Sequence, residues 1–377
     1  MRVLVTGQVG LDKNQYLETV CRIARDKGEE VKIFHIGDMM YREAHDVPPG
    51  RILDLPLSRL HSLRRAVFRD VLSEADKHKH VIVNTHATFR WKHGLFSAFD
   101  FDQLASFNAD LYITLMDNIE TVHQRMLRDH DLEHSLKDLM VWREEEILAT
   151  ETLAKASNAN VGRINPRAQP AKFFVLSRGR TTATAETMFR LIFRPDMKMV
   201  YPSFPMSHVM DLPDTLAEID AFRAAMAAKF ITFDPGDVDE KLLSDNAVKA
   251  AREGQQYVSM TVDNSPMRLK VTDILNIIGD IDGQIYARDF MLVRQSDMIV
   301  SYIPELPGGK PGLSSGVERE LQHAHEHAKD VYVIWKPKKE PSPFVTQTAN
   351  RVFRSVEETL AFFEEKGYFQ QHDLFGG

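Results

Sequence analysis

The sequence predicts an α/β protein of two three-layer domains, each built on a parallel sheet. Short β-rich runs alternate with amphipathic helical stretches along most of the 377 residues, the order that parallel sheets with helical crossovers require. At roughly 150 residues per domain the length allows two of them. The alternation restarts at Arg194-Pro195-Asp196, which divides the chain into residues 1–194 and 195–377.

The first half opens with a strand over residues 3–6, then a glycine-containing turn and a helix over 13–27. Further strands are read at 31–36, 81–85 and 111–115, each short, apolar and bounded by turn residues. The charged stretch 132–156 reads as a helix, and 157–169, which mixes Asn, Gly and Pro, as a loop. A strand at 172–176 and a helix at 182–193 close this half. The second half begins with a strand at 199–201, a helix at 216–229 and a strand at 230–233. Strands at 298–303 and 331–335 follow, with a helix over 317–329 between them and a last helix over 356–366.

Composition narrows the function class. Forty-three per cent of residues are hydrophobic and 27% are charged, which excludes a wholly disordered or collagenous chain. Lys plus Arg number 47 against 54 Asp plus Glu, a net charge of -7, so no excess of positive charge is available to drive nucleic-acid binding. Cys21 is the only cysteine, which rules out an intrachain disulfide and a multi-cysteine zinc site and fits a reducing, cytoplasmic setting. No window approaches the length of an apolar membrane span, so neither membrane nor nucleic acid is expected as a partner. His323 and His327 share a helix face but lack a His-Glu-x-x-His arrangement; no metal site is expected.

Gly7-Gln8-Val9-Gly10-Leu11-Asp12-Lys13-Asn14 follows the first strand and opens the first helix. A phosphate loop belongs there, because backbone N–H groups and the helix amino end face the anion. Gly7 and Lys13 fit its pattern, whereas Asp12 replaces the second Gly and Asn14 the hydroxyl that would hold Mg²⁺. Gly37-Asp38-Met39-Met40 with Arg42, the run 81–87, and Arg125, Arg128 and Asp129 complete the set. On these residues the first half, over about residues 1–190, resembles adenylate kinases and related nucleoside monophosphate kinases, particularly the archaeal type. The resemblance implies a P-loop kinase-like fold that takes ATP and Mg²⁺. It also implies nucleotide contacts from Gly7, Gly10, Lys13, Asn14, Asp38, Arg42, Arg125 and Arg128. Asn84 stands where that family has Asp; with Asp12 and Asn14 it leaves open a domain that keeps the fold only as a nucleotide sensor.

In the second half an apolar strand ends at Tyr302-Ile303-Pro304, a loop with Gly308, Gly309 and Gly312 crosses the sheet edge, and a helix starts near Ser314-Ser315-Gly316. A ligand crevice is expected outside the carboxyl ends of parallel strands. Val317, Leu321, Ala324 and Ala328 form the helix stripe facing the sheet, and Glu320 sits on its border, where it can lean into the crevice or lie on the surface. Ser315-x-x-Glu318 reads as a capping box.

Asp289, Asp297, the strand ending in Tyr-Ile-Pro, Gly316, Glu320-Leu321 and Ala324 together resemble nucleoside 2-deoxyribosyltransferases and related nucleotide N-hydrolases, over about residues 197–340. That resemblance implies a flavodoxin-like or Rossmann-like parallel sheet. It further implies Glu320 as a nucleophile on the anomeric carbon, Asp289 as proton donor to the leaving base and Tyr201 as the residue orienting Glu320. Ser314, Ser315, Gly316, Ser203 and Asp297 would contact substrate, with Asp297 also a candidate for fixing the strand end; Ser207 and His208 are further phosphate candidates. Ser314 stands where transferases carry Asp, which favours a nucleotide substrate and water as acceptor.

The expectation is therefore an enzyme that cleaves or exchanges the N-glycosidic bond of a nucleoside monophosphate, with no cofactor for that step. The family resemblance implies a homo-oligomer. The alternatives are a nucleoside monophosphate kinase with a regulatory second domain, and a non-catalytic nucleotide sensor.

Overall fold

The computed structural model describes residues 1–130, 132–164, 169–179, 182–206 and 209–369. The chain divides into two compact units, Met1–Ile192 with Val238–Asp282, and Phe193–Asp237 with Gly283–Gly377.

In the first unit the order is β1 (Arg2–Thr6), α1 (Lys13–Asp26), β2 (Lys32–His35), α2 (Ile36–Glu43), α3 (Leu57–Ala75), β3 (Val81–Asn84) and the hairpin β4 (Thr88–Trp91) with β5 (Gly94–Ser97). Then come α4 (Phe101–Phe107), β6 (Leu111–Met116), α5 (Ile119–His130), α6 (Leu136–Ile164), β7 (Lys172–Ser177) and α7 (Ala183–Phe193). Five strands form a sheet in the order β2-β3-β1-β6-β7, every pair parallel. Val3, Leu4, Val5, Val81, Ile82, Val83 and Ile113 are fully buried in it, as continuous apolar strands covered on both faces must be. The loops after β1 and β3 leave from its carboxyl edge, which positions the cleft described below.

The second unit opens with β8 (Met199–Ser203), α8 (Pro213–Lys229) and β9 (Ile231–Thr232). The chain then makes α9 (Lys241–Arg252), the antiparallel hairpin β10 (Tyr257–Val262) with β11 (Ser265–Lys270), and α10 (Val271–Leu275), all of which belong to the first unit. It continues through α11 (Ile278–Gln295), β12 (Met298–Ile303), the short pair β13 (Glu305–Leu306) and β14 (Lys310–Pro311), α12 (Ser315–Glu326), β15 (Asp330–Trp335), α13 (Pro343–Thr348), β16 (Arg351–Phe353) and α14 (Val356–Glu365). The second sheet runs β16-β15-β12-β8-β9, again parallel throughout. Val200, Phe222, Met226, Tyr302, Phe353 and Phe363 form part of the core on one of its faces.

Two expectations need correction. A single boundary at residue 195 does not describe the chain, because residues 238–282 pack with the first unit. Charge anchors that segment: Arg143 donates to Glu240 at 2.7 and 3.0 Å, with the two side chains 6% and 1% exposed, and the Ile119 N–H donates to the same carboxylate at 2.9 Å. Buried ion pairs leave no apolar period in the sequence from which a boundary could be read. The stretch 157–169 is also not a loop throughout, since α6 runs on to Ile164. Asn158 belongs to the helix, and its side-chain amide pairs with the backbone of Ala171 in both directions, at 2.7 and 3.0 Å. Its polar group is thus satisfied across space instead of in a turn. Among the described residues no helix is long and apolar enough to cross a membrane.

Candidate functional sites

The first site is a cleft of about 320 Å³ at the carboxyl edge of the first sheet. The loop between β1 and α1 forms one wall. Gly7, at φ 137°, lies where a Cβ would meet the Leu115 carbonyl at 2.8 Å, so only glycine fits. Asp12 caps α1 in the left-handed region at φ 51°, the conformation glycine would take without strain, and its carboxylate pairs with Arg178 at 3.2 Å. The residue that breaks the phosphate-loop pattern therefore keeps the loop's backbone shape and brings its own counter-ion.

Lys13 is 7% exposed. Its ammonium donates to the Gly7 carbonyl at 2.7 Å and lies 3.2 Å from His86 Nδ1. Burial pushes it down to about 7, with the Glu146 carboxylate opposing the shift. Glu146 sits behind the loop, accepting from the backbone N–H groups of Gly7, Ala87 and Thr88 and from the Thr88 hydroxyl, at 2.7–2.9 Å. Burial, then the charges of Lys13 and Arg64, hold His86 well below its ordinary value, so it is a neutral imidazole in this cleft. Phe89 and Trp91, from β4, and Tyr41 add aromatic wall.

Gly10, Lys13, Asn14 and Asp38 line this cleft, and Gly7 borders it. Arg42, Arg125 and Arg128 do not line it. Arg42 is exposed on α2. Arg128 pairs with Asp129 at 2.6 and 2.8 Å. Arg125, 2% exposed, is held by Asp117 at 2.9 Å and by Asp263 at 2.7 and 3.1 Å. Two of the expected phosphate arginines, Arg125 and Arg128, are thus neutralised by the chain's own carboxylates. Conversely Arg64 and Phe89 enter the lining without having been singled out from the sequence, and His86 enters it from the run 81–87.

The residues at the magnesium positions do not fit a directly held ion. Asn14 donates to Asp38 at 3.0 Å and accepts from Asn84 at 2.8 Å, and Asn84 also lies 2.9 Å from His35 Nδ1. Two neutral amides and one exposed carboxylate are a poor donor set for a hard, octahedral cation. Among the described residues no group of three or more His, Cys, Asp or Glu could hold a metal.

The second site lies at the carboxyl edge of the second sheet, where β8 ends and α12 begins. Glu320 Oε1 accepts from the Tyr201 hydroxyl at 3.0 Å, and Oε2 from the Ser203 hydroxyl at 2.5 Å. Tyr201 and Ser203 alternate along β8, so both project from one face, and each is 0% exposed. Burial and the Asp289 charge push Glu320 up to about 8, against the two hydrogen bonds that stabilise its anion. Asp289, 8% exposed on α11, is itself raised by burial, against Arg288, which donates to it at 3.1 Å. Tyr201 is raised well above its ordinary value by burial and then by the two carboxylates, so it stays a hydrogen-bond donor. Burial and the Asp289 charge thus both favour the protonated form of Glu320.

Tyr201, Ser203, Asp289 and Glu320 are therefore brought together. Ser203, expected to contact substrate, points its hydroxyl at Glu320. Ser314 is the N-cap of α12, accepting from Val317 N at 3.2 Å, so the cap falls one residue earlier than the expected box at Ser315 and Glu318. Ser315 and Gly316 are exposed in the first turn. Asp297 does not join the group. It accepts from Met199 N at 2.8 Å at the amino ends of β8 and β12, the strand-fixing role that follows from a carboxylate between two parallel strands. Ser207 and His208 lie outside the described residues. His323 stacks on Phe290 at 4.3 Å.

A family model described as an AAA domain matches residues 7–143. The adenylate kinase of Pyrococcus abyssi (strain GE5 / Orsay) is 23% identical over 166 residues, covering 42% of this chain and 81% of that protein. That of Pyrococcus furiosus (strain ATCC 43587 / DSM 3638 / JCM 8422 / Vc1) is 22% identical over 164 residues, with the same coverages of 42% and 81%. A crystal structure of shikimate kinase from Bacteroides thetaiotaomicron is 12% identical, covering 52% of this chain and 97% of that one, at a TM-score of 0.29. The first unit is thus similar, over residues 7–143, to the AAA domain model and, in sequence, to these two adenylate kinases.

Proposed function

We propose that the first unit binds a nucleoside triphosphate and a phosphorylated acceptor in its cleft and transfers a phosphoryl group between them, as adenylate kinases do. One observation carries this reading. Lys13 stands buried at the start of α1, inside a loop of phosphate-loop shape, with no carboxylate partner among the described residues. Phosphoryl transfer is mostly positioning and charge stabilisation, and a loop lysine beside a helix amino end supplies both. Asn14 and Asn84, neutral amides bonded to Asp38 and to each other, offer magnesium no direct carboxylate or hydroxyl ligand. Calorimetric titration with ATP tests the reading: micromolar binding by the wild type that is lost in Lys13→Ala supports it, and equal binding by both removes Lys13 from the site.

A second reading, for the second unit, is favoured by the Tyr201–Glu320–Ser203 contacts. We infer that Glu320 attacks the anomeric carbon of a nucleotide. The C1′–N bond breaks as the Glu320–C1′ ester forms, the leaving base takes the proton carried by Asp289, and water then hydrolyses the ester. The two hydroxyl donors hold the carboxylate in one rotamer, and Asp289 serves as the acid while Glu320 attacks as its anion. Free base released from nucleoside monophosphates by the wild type and not by Glu320→Gln supports this. Release unaffected by the substitution contradicts it.

A further inference from the structure

We propose that Asp263 is an autoinhibitory plug: its carboxylate occupies a nest of three arginines beside the first-unit cleft, and a polyphosphate bound in that cleft displaces it. The inference rests on the reading of this cleft as a nucleotide site.

The nest gathers side chains from distant parts of the chain. Arg125, on α5, donates from Nε and Nη2 to the two oxygens of Asp263, at 2.7 and 3.1 Å, and from Nη1 to Asp117 at 2.9 Å. Arg128 Nη1 lies 3.9 Å from the same Asp263 carboxylate. Arg178, just past β7, reaches Asp12 at 3.2 Å and Asp117 at 3.8 Å, and its Nε is buried without a hydrogen-bond partner. The nest adjoins the cleft, because Asp12 and Asp129, the residues that Arg178 and Arg128 hold, both line it.

Charge and geometry set this contact apart from a simple tether. A carboxylate placed two-point on a guanidinium takes the positions that phosphate oxygens take. Four carboxyl groups, Asp12, Asp117, Asp129 and Asp263, face three guanidiniums, so the acid carried in by the hairpin is the one in excess. The hydrogen bonds from Arg125 hold Asp263 below the usual carboxylate range, against burial, so it is charged at neutral pH. That charge repels an incoming polyanion. Once Asp263 leaves, Arg125 keeps Asp117, and its free edge and the Arg178 Nε are open to phosphate oxygens. The hairpin does not need the pair to stay docked, since Val258, Val262, Met267 and Leu269 are only 5–8% exposed. Asp263 stands in the two-residue turn at its tip, and its side chain is 35% exposed, so water can replace the contact it gives up.

The test is calorimetry with ATP and with tripolyphosphate on wild type, Asp263→Asn and Asp263→Glu. Asp263→Asn should bind both probes about 10-fold more tightly, the effect of removing a competing, partly exposed charged pair, even though its thermal midpoint falls. Asp263→Glu keeps the charge and should bind as weakly as the wild type. Equal or weaker binding by Asp263→Asn marks a tether and overturns the proposal, as does Asp263→Glu binding as tightly as Asp263→Asn. A second measurement needs no substitution: saturating the wild type with tripolyphosphate should speed amide hydrogen exchange in residues 257–270, and unchanged or slower exchange overturns the plug. If Asp263→Asn gains tripolyphosphate affinity while none of the three proteins binds ATP, the nucleotide reading falls and the plug stands. If ATP binds all three equally, the plug falls and that reading stands. If neither probe binds any of them, both fall.

Discussion

Asp263 holds Arg125 in a two-point ion pair, at 2.7 and 3.1 Å. Asp263 and Asn264 form the tip of the β10–β11 hairpin, both at positive φ, the conformation of a tight hairpin turn. The arginine that resemblance assigns to nucleotide phosphates is thus occupied by a carboxylate from an inserted segment. With Arg125 2% exposed, Asp263→Asn leaves a buried charge with Asp117 as its only remaining carboxylate among the described residues. Denaturant unfolding of Asp263→Asn should show a loss of about 1–3 kcal/mol. An unchanged midpoint would mean the pair contributes nothing to stability.

Arg143 and Glu240 should behave more severely, because both are buried. Removing one partner, as in Glu240→Gln, is expected to cost about 3–5 kcal/mol, whereas replacing both by apolar residues of similar size should cost far less. A double-mutant cycle by thermal unfolding measures the difference. Additive losses would contradict the coupling.

Glu320 gives a pH signature. Its value in the folded chain, about 8, lies above the ordinary 4.5, so the folded state binds the proton more tightly. The stability this brings is fully present below pH 4.5 and is lost as pH rises through 8. Glu320→Gln has no such proton to lose. Relative to wild type, its thermal midpoint should therefore rise between pH 5 and pH 9. A constant difference across that range would show that the carboxylate is not under desolvation.

Lys13 has the opposite sign. At about 7 in the free cleft it is half neutral near pH 7, and a bound phosphate favours its charged form. Nucleotide affinity should fall about tenfold per pH unit above pH 7 to 8, with proton uptake seen as a dependence of binding heat on buffer. Flat affinity from pH 6 to pH 9 would contradict this.

Both sheets were legible because their strands are apolar runs and their turns carry Gly, Pro or Asp. Lys13 was legible because it begins a helix just past a strand end, whereas Glu320, in the second turn of α12, stood out only through the motif spacing shared with a known family. Arg64 was not, since an arginine followed by Arg65 on a charged helix reads as solvated, and only the fold shows which of the two faces inward. Arg125 misled because residue type predicts a phosphate partner without revealing that Asp263, 138 residues later, has taken the place. Helix α11, which carries Asp289, was hidden by Gly279 and Gly283 within its first two turns.

The most direct test follows the phosphoryl group itself. With γ-labelled ATP and a panel of nucleoside monophosphates, the wild type should form labelled nucleoside diphosphate, and Lys13→Ala, folded by its thermal midpoint, should form none. Absence of labelled diphosphate from the wild type with every acceptor, or equal label transfer by the variant, would contradict the account.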